Sequence, residues 1–330
     1  MHGLLLALLA ACAPPDPTGD GDDAPADDTG TAARNCGPPD ADPEPTADGH
    51  PTDGWRWTRR GPLFDDETLF GGETMGRGDG TLAPTLVDTG TGLHLLWMMQ
   101  KGASSSLWSS TSEDADTWTA PRAVTGLDEE SYPSLLHDGA GFQLWVGSGS
   151  LAHATSDDGV AFSMTETVLR PGDAAFDTLS LLYPHATRTD AGIDLWYTGF
   201  DGARFAIGKA DCDATAMACT GAGPELERDP SGWDNAAVAM PEVVHHAGRV
   251  HTWYGGYDTI IADPGPWRIG RLEGGERRIS LPLTPSGAEA WSTRDPAVVP
   301  WRDGWRMVYV GMGDDGVYRL MAANSDVCPD

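Results

Sequence analysis

Apolar and polar residues alternate along this chain in short runs of period two, and helical spacing is almost absent. Runs such as Ile193-Asp194-Leu195-Trp196-Tyr197 and Val250-His251-Thr252-Trp253-Tyr254 are β-branched and aromatic, and a turn glycine (Gly192, Gly248) precedes each. That combination predicts strands, because such side chains fill a pleated surface and glycine admits a tight turn. The runs recur in register. Ahead of each stands the pattern x-Pro-x-apolar-apolar: Ala83-Pro84-Thr85-Leu86-Val87, Tyr132-Pro133-Ser134-Leu135-Leu136, Tyr183-Pro184-His185-Ala186-Thr187, Met240-Pro241-Glu242-Val243-Val244 and Asp295-Pro296-Ala297-Val298-Val299. The third copy is the loosest. A landmark follows each proline, at Trp97, Trp145, Trp196, Trp253 and Val308, with offsets of 13, 12, 12, 12 and 12.

Proline has no N–H for a ladder, so x-Pro opens or edges a strand. Each repeat then reads as a first strand, a glycine turn, the aromatic second strand and a third strand such as Phe205-Ala206-Ile207. A fourth is clear only in the early copies. Repeats of roughly 50 residues with four antiparallel strands predict an all-β, five-bladed β-propeller over residues 54–330. The fifth copy has no room for a fourth strand. Trp55-Arg56-Trp57-Thr58 is expected to supply it, closing the ring from the N-terminal side and leaving no long exposed edge. A β-sandwich or an open β array is the alternative.

The ends of the chain add an address. Leu4 to Ala11 is an apolar run of signal-peptide length, too short to span a bilayer. Leu9-Ala10-Ala11-Cys12 resembles the lipobox of bacterial lipoproteins, which implies a signal over residues 1–12 and lipidation of Cys12. An ordinary cleaved secretion signal is the alternative. Ala13 is not acidic, so the resemblance implies an exported outer-membrane lipoprotein, periplasmic or cell-surface. Residues 13–53 are Pro, Asp, Gly, Thr and Ala with almost no large apolar side chains, and read as a disordered acidic tether. The net charge of −29 opposes contact with nucleic acid or anionic headgroups, leaving the lipid as the expected membrane contact. A monomer is expected. Export permits disulfides, and Cys212-Cys219 (flanking one short loop) and Cys36-Cys328 (near the two chain ends) are the expected pairs. Zinc is disfavoured, since no second thiol pair or His cluster has suitable spacing.

In a propeller the first strands line the channel and start at one mouth. The strand 2–3 loops return to that mouth and bring Asp201 and Asp258. The segments entering the first strands bring Asp79, Trp233, Trp291 and Arg294. Glu242 and Asp295 flank prolines of adjacent repeats, so two carboxylates approach one axis. Paired carboxylates serve glycoside hydrolysis: one protonates the leaving oxygen, and the other activates water or attacks the sugar. Tyr132, Tyr183, Trp233 and Trp291 would offer faces to sugar rings.

The chain resembles the five-bladed propellers of glycoside hydrolase families 43, 32 and 68 over roughly residues 75–326. The resemblance is carried by the x-Pro starts, Trp-Tyr-Thr-Gly-Phe-Asp-Gly (196–202), Trp-Tyr-Gly-Gly-Tyr-Asp (253–258), Ser112-Glu113-Asp114 with Trp118, and Ser156-Asp157-Asp158-Gly159 with Phe162. It implies that Asp295, in Arg294-Asp295-Pro296, stabilises the transition state and that Glu242 is the acid. Family 43 also places a basic Asp at the first-blade strand start. This chain has Ala83 there, with Asp79 four residues earlier as the candidate. Some family 43 enzymes hold a channel histidine near calcium, which makes His185 a candidate ion neighbour; no cofactor is required otherwise. The function expected is a surface-tethered, glycoside hydrolase-like protein acting on or binding a poly- or oligosaccharide. Alternatives are a non-catalytic glycan- or protein-binding propeller lipoprotein and a scaffold with no small-molecule site.

Overall fold

A computed structural model describes residues 37–328 except 42, 48, 128–130, 173–174, 214, 216–217 and 259–265. The proposed signal, Cys12 and Cys36 lie outside the described residues. Among the described residues the fold is all-β apart from one short helix. β1 (Trp57–Pro62) and α1 (Asp66–Phe70) precede β2 (Gly80–Asp88), β3 (Leu93–Lys101), β4 (Ser104–Ser112) and β5 (Arg122–Ala123). Next come β6 (Ser134–His137), β7 (Phe142–Val146), β8 (Leu151–Ser156) and β9 (Ser163–Leu169), which form one sheet. β10 (Ser180–Thr189), β11 (Gly192–Phe200), β12 (Phe205–Cys212) and β13 (Cys219–Leu226) form another. β14 (Ala237–His246), β15 (Arg249–Tyr257), β16 (Arg268–Glu273) and β17 (Glu276–Leu281) form a third. β18 (Ser292–Trp301), β19 (Gly304–Met312) and β20 (Tyr318–Ser325) complete the series.

Within each set, consecutive strands pair antiparallel, as the repeat predicts. β1 pairs antiparallel with β20, from Trp57 opposite Ser325 to Pro62 opposite Met321. The N-terminal strand therefore pairs with the last strand of the fifth repeat. A single parallel bridge, Gly80 to Tyr318, links β2 to β20. It needs a glycine: Gly80 has φ 123°, and a Cβ there would lie 2.1 Å from the Tyr318 carbonyl oxygen.

The landmark residues are the packing between sheets. Trp97, Trp145, Trp253 and Val308 are fully buried. Trp97 and Val308 share a cluster with Leu95, Ala297 and Leu320; Trp145 packs with Leu181, Ile193 and Leu195. Trp196 stays half-buried, with the Lys209 ammonium 5.8 Å from its ring centroid. Each large ring removed from water contributes on the order of 2–3 kcal/mol. Cys212 and Cys219 are bonded, across directly paired positions of β12 and β13.

Described residues of the expected tether, from 37 onward, make contacts with the strands. Gly37 donates to Asp326 O (2.8 Å) and accepts from Cys328 N (2.9 Å). Thr52 bridges Ile279, and Trp55 is buried among Trp253 and Trp305 under the Arg271 guanidinium, 4.4 Å from its ring. Burial pushes the Asp53 carboxyl up to about 6. Asp40 N donates to Gly54 O, and Pro51 O and Asp53 N bond Ile279, contacts that polar residues make as well as apolar ones.

Candidate functional site

The five repeat prolines line one cavity. Each residue before them has positive φ: Ala83 47°, Tyr132 42°, Tyr183 48°, Met240 59° and Asp295 51°. A residue before proline ordinarily stays extended, and non-glycine residues in the left-handed region cost on the order of 1–3 kcal/mol. At four of the five a bulge accompanies it: register shifts fall between Leu82 and Thr85, Leu182 and His185, Ala239 and Glu242, and Arg294 and Ala297. A bulge bends its strand and re-aims the side chain there.

The bulges free backbone groups, and neighbouring repeats satisfy them. Thr85 Oγ1 accepts from Leu135 N (2.9 Å), and Ser134 Oγ from Ala186 N (2.9 Å). His185 Nε2 donates to Val243 O (2.9 Å), and Glu242 Oε1 accepts from Val298 N (2.8 Å). In each pair the residue after one proline holds the second residue after the next. The fifth repeat has Ala297 at that place. Asp295 substitutes, with Oδ2 accepting from Ala83 N at 2.9 Å. Hydrogen bonds thus run from each repeat to the next and from the fifth back to the first. Polar residues at buried first-strand positions (Thr85, Ser134, His185, Glu242) are the sequence signal of this arrangement.

Glu242 and Asp295 both line the cavity, and both are buried (6 % and 3 % exposed). Each is engaged twice. Glu242 Oε2 lies 2.8 Å from His185 Nδ1, and Asp295 Oδ1 accepts from Arg294 Nε at 2.9 Å. His185 faces an acceptor with each ring nitrogen, Val243 O at Nε2 and Glu242 Oε2 at Nδ1, an arrangement that favours the protonated ring. Burial opposes that charge; Glu242 outweighs it and raises the pKa. Burial likewise opposes the charge of Arg294, and Asp295 beside it holds it protonated. The Arg294 guanidinium sits 5.4–5.6 Å from the ring centroids of Trp267, Tyr183 and Tyr318 and also donates to the Tyr183 hydroxyl. The cavity these groups enclose measures about 20 Å3, the room of one water.

The other expected site residues lie off this cavity. Asp79 accepts from Gly76 N and Gly102 N (both 2.8 Å), and these bonds hold its pKa below the usual range. It fixes the β3–β4 turn, while Ala83 takes the axial place. Asp201 closes the β11–β12 turn by accepting from Ala203 N and Arg204 N. Asp258 lies 3.5 Å from Arg268 and 3.3 Å from His50. Trp233, expected as a sugar platform, is buried (3 %) and stacked on Tyr254; Gly256 and Gly270 leave room for its ring. Tyr132 packs on Tyr183 with centroids 4.1 Å apart, and Trp291 stays partly exposed beneath Arg77. Among the described residues no three or more His, Cys, Asp or Glu converge as metal ligands.

A second repeated tie went unread in the sequence. Tyr197, Tyr254 and Tyr309 donate to buried Asp177, Asp234 and Glu289, each twenty residues earlier. The constant spacing between an acid and the tyrosine after the landmark was the available signal.

No family model and no curated protein matches the sequence. Solved structures do. The catalytic domain of a Coprinopsis cinerea family 62 α-L-arabinofuranosidase is similar over 82 % of this chain and 97 % of its own, at TM-score 0.57 and 11 % identity. A thermostable family 43 glycoside hydrolase is similar over 77 % and 91 %, at TM-score 0.55 and 15 % identity. A Bombyx mori family 32 β-fructofuranosidase is similar over 81 % of this chain and 62 % of its own, at TM-score 0.55 and 10 % identity. The fold is that of the β-propeller glycoside hydrolases. At these identities the likeness concerns the fold alone.

Proposed function

We propose that this chain is an exported five-bladed β-propeller, its last blade completed by β1, that binds carbohydrate and no longer cleaves it. The carbohydrate class follows the glycoside hydrolase fold, and fold alone does not carry chemistry. One observation supports the loss of cleavage. The two axial carboxylates are buried, each bonded to a backbone N–H of the next repeat, around a cavity of about 20 Å3. Ligand pockets are typically about 300–1,000 Å3. A general acid also needs a leaving oxygen within hydrogen-bond reach, and this cavity admits no sugar. Tyr132, Tyr183 and Trp291 are the binding surface in this reading, with Arg294 holding the Tyr183 hydroxyl.

The test pairs binding with hydrolysis. Wild type is expected to bind a member of a panel of arabinan, xylan, fructan and mannan oligosaccharides by calorimetry, with no reducing ends released. Trp291→Ala weakens that binding. Sugar release that disappears in folded Asp295→Asn and Glu242→Gln would instead establish the hydrolase reading, with Glu242 as acid and Asp295 as stabiliser. The Arg294-Asp295-Pro296 sequence on this fold favours that second reading.

The address is part of the same proposal: an outer-membrane lipoprotein anchored through Cys12. Labelled palmitate is expected in the wild-type protein and absent from Cys12→Ser. Label retained by the variant would refute the anchor.

A further inference from the structure

A much larger depression lies between the first two repeats, beside the β2–β3 turn and away from the strand starts. It measures about 780 Å3, within the range of ligand sites. Two equivalent turns border it, Ser112-Glu113-Asp114 after β4 and Ser156-Asp157-Asp158 after β8. In each turn the outer residues are spent on the backbone. Ser112 Oγ accepts from Ala115 N (2.8 Å), and Asp114 Oδ1 from Asp116 N (2.8 Å) and Thr117 N (2.6 Å). Ser156 Oγ accepts from Gly159 N (3.0 Å), and Asp158 Oδ1 from Val160 N (2.9 Å) and Ala161 N (2.8 Å). Those bonds hold both aspartates ionised, Asp114 down to about 2.

The middle residues, Glu113 and Asp157, are exposed and have no hydrogen bond or ion pair among the described residues. Two adjacent repeats therefore present one unengaged carboxylate each to the same groove. Trp118 borders it, partly exposed, its Nε1 anchored to Ala115 O at 3.3 Å. The floor is preformed: a Cβ on Gly159 would fall 2.4 Å from the buried His94 ring. A second depression of about 470 Å3 shares Phe142 and Asp157 with the first and extends it toward Thr215.

We infer that this groove is a second carbohydrate site, for a neutral oligosaccharide lying across the first two repeats. No Lys or Arg lines it, and Arg122 nearby faces Asp158, while two unengaged carboxylates face the groove, which disfavours an anionic ligand. Carboxylates accept from vicinal hydroxyls, the border threonines donate and accept, and an indole offers an apolar face to the C–H side of a sugar ring. The ligand class rests on the carbohydrate-binding reading above; the location does not.

Calorimetry and saturation-transfer NMR with short neutral xylo-, arabino-, manno- and cello-oligosaccharides test it on the intact chain. Two sites are expected in wild type. Trp118→Ala and the exposed pair Glu113→Gln/Asp157→Asn should each weaken one site about ten-fold or more, with unchanged melting confirming the fold. Trp291→Ala should weaken only the other. Binding unaltered by both groove variants overturns the groove and leaves the mouth reading standing. Binding abolished by Trp118→Ala alone supports the groove and removes the mouth. Wild type that binds no sugar, or that takes a lysine-rich peptide in the groove instead, overturns the inference.

Discussion

Replacing Glu242 with alanine destabilises the protein by about 3–5 kcal/mol, the cost of breaking one partner out of a buried ion pair. The Val298 N–H loses its acceptor and the His185 ring its carboxylate partner, both largely withdrawn from water. At this size, roughly 2–4 °C per kcal/mol, the melting temperature falls by about 10 °C. Glu242→Gln keeps an oxygen for Val298 and restores part of the loss. Asp295→Ala behaves like Glu242→Ala, stranding Ala83 N–H and Arg294. Thr85→Val, which removes a neutral link of the same series, costs only about 1–2 kcal/mol. Urea or thermal unfolding measures all four. Equal costs for Thr85→Val and Glu242→Ala would mean that the charges at the axis contribute nothing beyond one hydrogen bond each.

Acid destabilises the fold between about pH 6.5 and 4. Burial lowers His94 and His251 to about 4 each, against Asp158 near the first and with Arg271 adding to the effect at the second. Their pKa values are depressed on folding, so the unfolded chain takes up protons first as pH falls. The contribution is whole above the unfolded value and is lost on the way down to about 4. Two such groups amount to on the order of 3–6 kcal/mol. Asp53 works the other way. Its folded pKa of about 6 lies above its unfolded value, so the chain gains stability as pH falls through 6. Urea midpoints from pH 7 to 4 should therefore fall in wild type, fall more steeply in Asp53→Asn, and flatten in His94→Gln/His251→Gln. A midpoint that stays level in wild type and in Asp53→Asn alike rejects the assignment.

The strands and their order were legible because proline, glycine and tryptophan each act locally. Proline cannot donate, glycine turns, and a large ring must be buried wherever the sheet places it. The meeting of Glu242 and Asp295 followed from that geometry. What they do there did not. Resemblance suggested a catalytic pair; their bonds also place them in one series with Thr85 and Ser134, and that part depends on contacts with the next repeat, which sequence alone does not display. The left-handed φ of Tyr183 falls at a bulge set by pairing with the second strand, a contact the sequence alone does not display. Trp233 read as a mouth residue because it lies in a connecting segment, yet Gly256 and Gly270 open a slot that takes its ring into the interior.

Ala, Tyr, Tyr, Met and Asp occupy the five left-handed positions before the prolines, with φ between 42° and 59° in every case. The backbone posture is therefore indifferent to the side chain mounted on it. What each position contributes is set by its side chain: Asp295 holds Ala83 N and Arg294, whereas Tyr183 meets the Arg294 guanidinium. One backbone posture thus carries a different contact from each repeat.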